Sequence, residues 1–342
     1  MSYRIKIEPG PWQFDVEAGN TLLRAGLAAG IALPHGCRNG ACGACKARVV
    51  SGQVDPGYFM DGALSEQEFA RGYVLMCCAR PLSDLSLECR TASGQRELPV
   101  RTLPCRVNKM DLLAPDVMRL TLQLPASERL QFLPGQYIDI LLRDGRRRSF
   151  SIANAPREDG RIELHIRRVP GGHFTQHVFE TLRERDILRI EGPLGTFWLR
   201  EESGRPVVLL AGGTGFAPLK AIVESTLQKS PARPMTLFWG ARDRAGLYLH
   251  DLAAGWAATG ALGRYVPVLS EPEAADAWSG RTGLVHRAVA ADFPDLSGHE
   301  VYACGAPAMI EAARRDLTAE CSLPEDAFYA DPFNFAADSV TP

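Results

Sequence analysis

Cys37-Arg38-Asn39-Gly40-Ala41-Cys42-Gly43-Ala44-Cys45 sets three cysteines at the spacing C-x4-C-x2-C. That is the spacing at which one tight loop offers thiolates to a 2Fe–2S cluster. Two irons and two bridging sulfides need four thiolates converging on one small volume, and this loop delivers three of them. Gly36, Gly40 and Gly43 interleave with the cysteines. Glycine admits the φ values such a loop needs and lets amide N–H groups approach the sulfurs, which also helps set a reduction potential. The fourth thiolate falls to Cys77 or Cys78. A zinc ribbon would want two C-x2-C pairs, and only Cys42–Cys45 is one. The chain has nine cysteines, five of them between positions 37 and 78. An odd count with no export signal argues against a disulfide framework and for metal.

Outward from the loop, residues 3–8 alternate polar and apolar, and Phe14-Asp15-Val16-Glu17 alternates again after Pro9-Gly10-Pro11. This pattern predicts a β-hairpin. Thr21 then opens an amphipathic helix, 22–29, that Gly30 ends. Strands are expected at 46–51 and 85–89, and the polar stretch 91–102 fits a linker. Residues 103–200 carry short β-type runs at 119–124, 137–142, 149–153, 162–169 and 187–191, with one helix-like stretch at 175–182. That predicts a small antiparallel barrel. From residue 206 the character changes. Val207-Val208-Leu209-Leu210-Ala211 is apolar throughout, as a buried parallel strand reads. Helix-like and strand-like runs then alternate at 217–228, 235–239, 265–269, 284–290, 300–303 and 306–319, the pattern of a parallel α/β sheet.

Two glycine-containing loops are placed to receive a diphosphate. Gly171-Gly172-His173-Phe174-Thr175 precedes the helix of the middle segment, with Thr175 read as its N-cap. A helix N-terminus with free N–H groups seats a diphosphate, and His173 is read as a loop residue with no proton-transfer role. Gly212-Gly213-Thr214-Gly215-Phe216-Ala217-Pro218 follows the apolar strand and opens a helix. It is not the G-x-G-x-x-G fingerprint, but glycines here serve the same end, close approach of backbone to a diphosphate. Trp239-Gly240-Ala241-Arg242-Asp243 ends the next strand, where an adenosine ribose is expected. Cys304-Gly305-Ala306-Pro307-Ala308-Met309 again runs from strand into helix. Taken alone, Cys304 reads as a small buried hydrophobe.

Arg148-Ser149-Phe150-Ser151, after Leu133-Pro134-Gly135-Gln136-Tyr137, resembles the Arg-x-Tyr/Phe-Ser signature of the ferredoxin-NADP reductase superfamily. The resemblance implies that Arg148 pairs with the diphosphate of FAD, a task its planar fork suits. It also implies that Phe150 packs on the isoalloxazine or ribityl region, and that Ser151 offers a hydrogen bond near the reactive N5. The family places Gly172, His173, Phe174 and Thr175 on the FAD phosphates, and Ile166 and Arg167 against the flavin ring. Thr214 joins this FAD set. Gly212, Gly213, Gly215, Pro218, Gly240, Arg242, Cys304, Gly305, Pro307 and Met309 are implied to bind NAD, with Cys304 beside the nicotinamide C4. Phe333 matches the terminal aromatic that shields the flavin, with Phe335 the competitor. Ser151 and Cys304 are the implied catalytic pair. Leu75-Met76-Cys77 resembles the Leu-x-Cys of plant-type ferredoxins, which favours Cys77 as the fourth ligand. By the same resemblance, Cys37 and Cys42 hold the outer iron and Cys45 and Cys77 the inner one.

The three segments together resemble the ferredoxin-fused reductases that serve oxygenases and deoxysugar dehydratases. Gly135-Gln-Tyr-Ile-Asp139 and Val301-Tyr-Ala-Cys-Gly305 are similar to CDP-6-deoxy-Δ3,4-glucoseen reductases. Cys77-Cys-Ala-Arg-Pro-Leu-Ser-Asp-Leu85 and Gly240-Ala-Arg-Asp-Arg-Ala-Gly-Leu-Tyr248 are similar to phenol hydroxylase reductase components. The expected architecture is a β-grasp ferredoxin domain over 1–93, an antiparallel β-barrel FAD domain over 101–202 and a parallel-sheet NAD domain over 203–336. The expected chemistry is hydride uptake from NADH and single-electron delivery to a partner, an oxygenase component or a dehydratase. A redox-sensing module is the reading from another class. NADH is preferred to NADPH, although Arg242 and Arg244 are basic. A formal charge of −2 gives no footprint for nucleic acid, and no apolar run reaches the roughly 18 residues of a membrane span. A cytoplasmic location is the resulting expectation.

Overall fold

The computed structural model describes residues 2–31, 33–36, 38, 40, 43–60, 63–89, 98–228 and 233–333. The chain divides into two compact units, Met1–Pro99 and Val100–Pro342. Cys37, Cys42 and Phe335 lie outside the described residues.

The first unit opens with β1 (Ser2–Glu8) and β2 (Gln13–Glu17), paired antiparallel with Ile5 opposite Phe14. Their alternation sends Ile5, Ile7, Phe14 and Val16 inward. Helix α1 (Leu22–Ala28) starts where the Thr21 hydroxyl accepts from the Arg24 amide. β3 (Lys46–Ser51), β4 (Val54–Asp55), α2 (Glu66–Ala70), β5 (Tyr73–Leu75), β6 (Arg80–Pro81) and β7 (Leu85–Glu88) follow. The main sheet has the order β2-β1-β7-β3-β5, with β1 and β7 parallel and the other neighbours antiparallel. A parallel pair needs a crossover, and everything from α1 to β6 supplies it. This is the β-grasp arrangement. The sequence reading lacked α2, with its Ser65–Glu68 capping box, and the short β4–β6 ladder.

The second unit holds two six-stranded sheets. β8 (Arg101–Ala114), β9 (Val117–Gln123), β10 (Tyr137–Leu141), β11 (Arg147–Ser151), β12 (Arg161–Arg167), α3 (His173–Glu180) and β13 (Ile187–Leu194) form the antiparallel barrel, in the order β11-β10-β13-β8-β9-β12. Among the described residues, a single bridge, from Ile152 just past β11 to Leu164 of β12, links the two edges of this sheet. Two expectations are corrected here. Arg101 and Thr102 belong to β8, not to a linker, because the inward alternation Leu103, Cys105, Val107 already begins there. The helix is α3 at His173–Glu180, two residues earlier than read.

The second sheet is built from β14 (Val207–Gly212), α4 (Phe216–Leu227), β15 (Met235–Ala241), α5 (His250–Ala258), β16 (Arg264–Leu269), β17 (Arg281–Thr282), α6 (Val285–Asp292), β18 (Glu300–Gly305), α7 (Pro307–Glu320) and β19 (Phe328–Pro332). All its pairings are parallel, in the order β17-β16-β15-β14-β18-β19. The chain therefore winds outward from β14 in one direction and then restarts at β18 in the other. The strand order reverses between β14 and β18, and a crevice opens beyond the carboxyl ends of strands at such a point. Among the described residues no helix is long and apolar enough to cross a membrane.

Candidate functional site

In the first unit, Cys45 is buried just before β3 and Cys77 is half-buried on the turn after β5. The β3–β5 ladder brings them together, because the Met76 amide donates to the Cys45 carbonyl at 3.0 Å. Gly40 has φ +79°, and a Cβ there would lie 2.7 Å from Cys78 Sγ and 3.1 Å from Phe59 Cα. No side chain fits at Gly40, so its backbone packs directly against the Cys78 thiol. Cys77 Sγ stands 3.6 Å from Cys78 Sγ. Clustered soft thiolate donors around a cradle closed to side chains fit an iron–sulfur cluster.

In the second unit, the residues read as flavin-facing lie on the two strands that flank the barrel's near-closure. Arg148, Phe150 and Ser151 are on β11, and Ile166 and Arg167 are on β12. Phe150 packs on Phe174 of α3 with ring centroids 5.6 Å apart. Arg148 is half-buried, and its Nη1 donates to the Arg147 carbonyl at 2.9 Å. Arg167 pairs through Nη1 with Asp116 at 3.4 Å. Its Nε and Nη2 are buried with no partner among the described residues. A buried guanidinium keeps unsatisfied donors only at a cost, so this pair marks where an acceptor group fits. The N-cap of α3 is Gly172, not Thr175 as expected. Thr175 sits inside the first turn, where its hydroxyl accepts from the Val169 amide and donates to the Gly172 carbonyl. Among the described residues no side chain caps this helix, and a helix N-terminus is a favourable seat for phosphate. These features fit FAD.

The nucleotide loops gather at the strand-order reversal. Gly212 ends β14, Gly213–Gly215 form one 3₁₀ turn, and α4 begins at Phe216. A Cβ on Gly215 would stand 2.1 Å from the Cys304 carbonyl oxygen, so the loop and β18 touch backbone to backbone. A Cβ on Gly212 would strike Met309 Sδ at 2.5 Å, and one on Gly305 would strike Met309 Cε at 2.9 Å. Pro307 occupies the first turn of α7. Pro218 is buried in α4, and Thr214 is half-buried at the loop tip. The Phe333 amide donates to the Gly305 carbonyl at 2.8 Å, which sets that aromatic at the same edge. Cys304 is fully buried, and burial pushes its thiol well above the ordinary range. Arg242 is highly exposed beyond β15 and pairs loosely with Glu271 at 3.5 Å; Gly240 packs against Val285. The two halves of the unit meet at the loop. Arg167 Nη2 is 3.6 Å from the point where a Gly213 Cβ would stand. Sequence reasoning missed a cluster of titratable side chains between the halves, buried Lys220 and His165 with half-buried Glu163. The only sign of it was a single lysine inside the otherwise apolar Phe216–Val223 run.

A 2Fe-2S iron–sulfur cluster binding domain profile matches residues 5–82, an oxidoreductase FAD-binding domain profile 104–198 and an oxidoreductase NAD-binding domain profile 209–315. The CDP-6-deoxy-L-threo-D-glycero-4-hexulose-3-dehydrase reductase of Yersinia pestis is 41% identical over 333 residues, covering 97% of this chain and 99% of that protein. The reductase component of phenol 2-monooxygenase from a Pseudomonas species is 36% identical over 345 residues, covering 99% and 97%. Among solved structures, a cytochrome P-450 reductase from Amycolatopsis aligns with TM-score 0.78 at 36% identity, covering 98% of this chain and all of that one. Fold, site and profiles define an oxidoreductase that carries NAD-, FAD- and 2Fe–2S-binding parts in one polypeptide. The chain belongs to the family of iron–sulfur flavoprotein reductases represented by these full-length relatives. Its electrons run from NADH through FAD to the cluster.

Proposed function

We propose that this reductase works in the cytoplasm and delivers electrons one at a time to a hydroxylating oxygenase component. Bound FAD supplies the change from two-electron to one-electron transfer, and the 2Fe–2S cluster supplies the outlet. The chain's own residues position these groups, in three parts over 1–93, 101–202 and 203–336. Cys37, Cys42, Cys45 and Cys77 hold the cluster. Arg148 and the first turn of α3, from Gly172 to Thr175, hold the FAD diphosphate. Phe150, Ile166, Arg167 and Phe333 bound the ring, and Ser151 hydrogen-bonds near its reacting edge. Gly212–Gly215 and Gly305 admit the dinucleotide backbone, Gly240 and Arg242 border the ribose, and Cys304 backs the nicotinamide. No general acid or base is required, because the transfer at this site moves a hydride.

The observation that carries this reading is the meeting of β12 with the nucleotide loop, Arg167 over Gly213, at the strand-order reversal. The 41% identity to the Yersinia protein supports a second reading, in which the acceptor is a deoxysugar dehydratase. Cys42→Ser tests the modular assignment. It should abolish the rhombic electron-paramagnetic signal of the reduced protein while NADH-driven ferricyanide reduction continues. Loss of both would refute it. Coupled NADH oxidation with a phenol hydroxylase component, or with a CDP-deoxysugar dehydratase and its substrate, separates the two acceptors.

A further inference from the structure

Lys220 lies on α4 in the middle of the helix's buried face, 4% exposed. An ammonium has three N–H donors and no acceptor, and here each donor has a partner. Nζ is 2.9 Å from the Ala153 carbonyl, 3.2 Å from Glu163 Oε1 and 2.7 Å from Glu224 Oε1. Glu224 uses its second oxygen to accept from the Ala155 amide at 3.2 Å. Ala153 and Ala155 are the exit of β11, just past Ser151, and Glu163 is on β12, three and four residues before Ile166 and Arg167. One cation of the nucleotide-binding half therefore grips both strands that carry the flavin-facing residues.

The network continues into the nucleotide loop. Glu163 Oε1 also meets His165 Nε2 at 2.8 Å, and His165 Nδ1 meets the Tyr248 hydroxyl at 2.9 Å. A carboxylate only accepts, so Nε2 carries the proton. Burial keeps the imidazole neutral, which leaves Nδ1 to accept from Tyr248. The Tyr248 ring stands edge-on to Trp239, 5.2 Å between centroids. Trp239 stacks on Phe216 at 3.9 Å, and its Nε1 donates to the Gly213 carbonyl at 3.0 Å. From Ala153 and Glu163 to Gly213 each link is a hydrogen bond, an ion pair or a ring contact between buried or half-buried groups.

We propose that Lys220 is a positioning residue for hydride transfer, clamping the flavin-facing strands of the barrel to the glycine loop that admits the dinucleotide backbone. Such a clamp must sit in a dry, fully partnered site. A surface ion pair would leave the spacing soft, whereas a buried cation with three fixed acceptors admits one arrangement. Catalysis needs the donor carbon and acceptor nitrogen held near contact, and an error of about 1 Å costs about 100-fold in rate. The inference rests on the assignment of β11 and β12 to the flavin.

The test is stopped-flow reduction of the bound flavin by NADH in the full-length holoprotein. Lys220→Met should lower the limiting rate by about 10- to 100-fold. The apparent Kd for NADH and the FAD content should stay unchanged. The long-wavelength charge-transfer absorbance of the stacked nicotinamide and flavin should fade. Because Lys220→Met leaves the half-buried Glu163 and Glu224 carboxylates without their cation, the paired Lys220→Met/Glu163→Gln variant is measured beside it. That pair keeps the charge balanced but lacks the grip, and it should be slow as well. Either folded variant reducing its flavin at the wild-type rate would overturn the proposal, even with a lowered Tm. A change confined to Kd would also overturn it. If wild-type protein showed no flavin bleaching with NADH, the underlying assignment would fail instead.

Discussion

Gly215→Ala adds one methyl group at the most crowded point of the nucleotide site. Gly215 has φ −58° and ψ −11°, so alanine meets no backbone strain there. The penalty is space alone. The new Cβ would lie 2.1 Å from the Cys304 carbonyl oxygen, 2.5 Å from its carbonyl carbon and 2.9 Å from the Gly305 amide nitrogen. All three are main-chain atoms of β18, so no rotamer relieves the clash. Restoring ordinary contact requires the loop and β18 to separate by roughly 1 Å, and overpacking of this kind costs about 1–3 kcal/mol. At about 2–4 °C per kcal/mol for a domain of this size, the transition of the second unit should fall by about 2–12 °C. The same displacement moves the nicotinamide seat relative to the flavin strands, so the limiting rate of flavin reduction should fall by about 100-fold. Calorimetry reads the first quantity and stopped-flow absorbance the second. Gly255→Ala in α5, where a methyl meets open space, is the control, and it should be neutral or slightly stabilising. A Gly215→Ala protein with wild-type Tm and wild-type reduction rate would refute the claim that the glycine loop and β18 meet backbone to backbone to form the site.

Arg167→Met removes two buried donors that have no partner among the described residues. If they serve the flavin, the loss of a charged hydrogen bond worth about 1.5–3 kcal/mol should weaken FAD retention roughly 10- to 150-fold, read by fluorescence titration of the apoprotein. Unchanged FAD affinity would remove Arg167 from the site. A second expectation concerns acid. Burial raises the Glu163 carboxyl, but the His165 hydrogen bond and the Lys220 charge outweigh it and hold the group at about 2, below its ordinary 4.5. A folded value below the unfolded one adds stability that is complete above about pH 4.5 and is lost as pH falls towards 2. The amount is on the order of 3 kcal/mol at about 1.4 kcal/mol per pH unit. Urea titrations should show Glu163→Gln protein lacking that share of the acid-side slope; a slope identical to wild type would mean that the fold does not hold the Glu163 carboxyl below its ordinary value.

What the sequence made legible was whatever a local constraint imposes. A strand buried on both faces must be apolar at every position, so Val207–Ala211 declared itself. A thiolate loop has one spacing, so the cluster loop did too. Spacing could not separate Cys77 from Cys78, since the two are adjacent in sequence and their sulfurs stand only 3.6 Å apart. Thr175 was misplaced for a physical reason. A threonine that hydrogen-bonds back to residues 169 and 172 has the chemistry of an N-cap, while the cap position itself went to a glycine. Helix α5 went unread because only Ala253 of its nine residues is buried, which leaves almost no periodic stripe. Lys220 was illegible in principle. Its partners are 57 and 67 positions away on barrel strands, and only the packed fold brings a lone charge in an apolar helix to them.

The division of the molecule into units also says where two-electron and one-electron work can be separated. The first unit closes its own core around Ile5, Ile7, Leu22, Leu75 and Leu87. The barrel and the parallel sheet, by contrast, form one unit stitched by Lys220, Glu224, His165 and Tyr248. Hydride transfer tolerates little geometric error, and single-electron transfer between cofactors tolerates far more. A rigid, charge-clamped contact is thus found on the side where the reacting atoms must almost touch. On this argument the cluster unit can be altered at its thiolates without disturbing the entry of electrons from NADH, and no substitution in the Lys220 network should change the electron-paramagnetic spectrum of the reduced cluster.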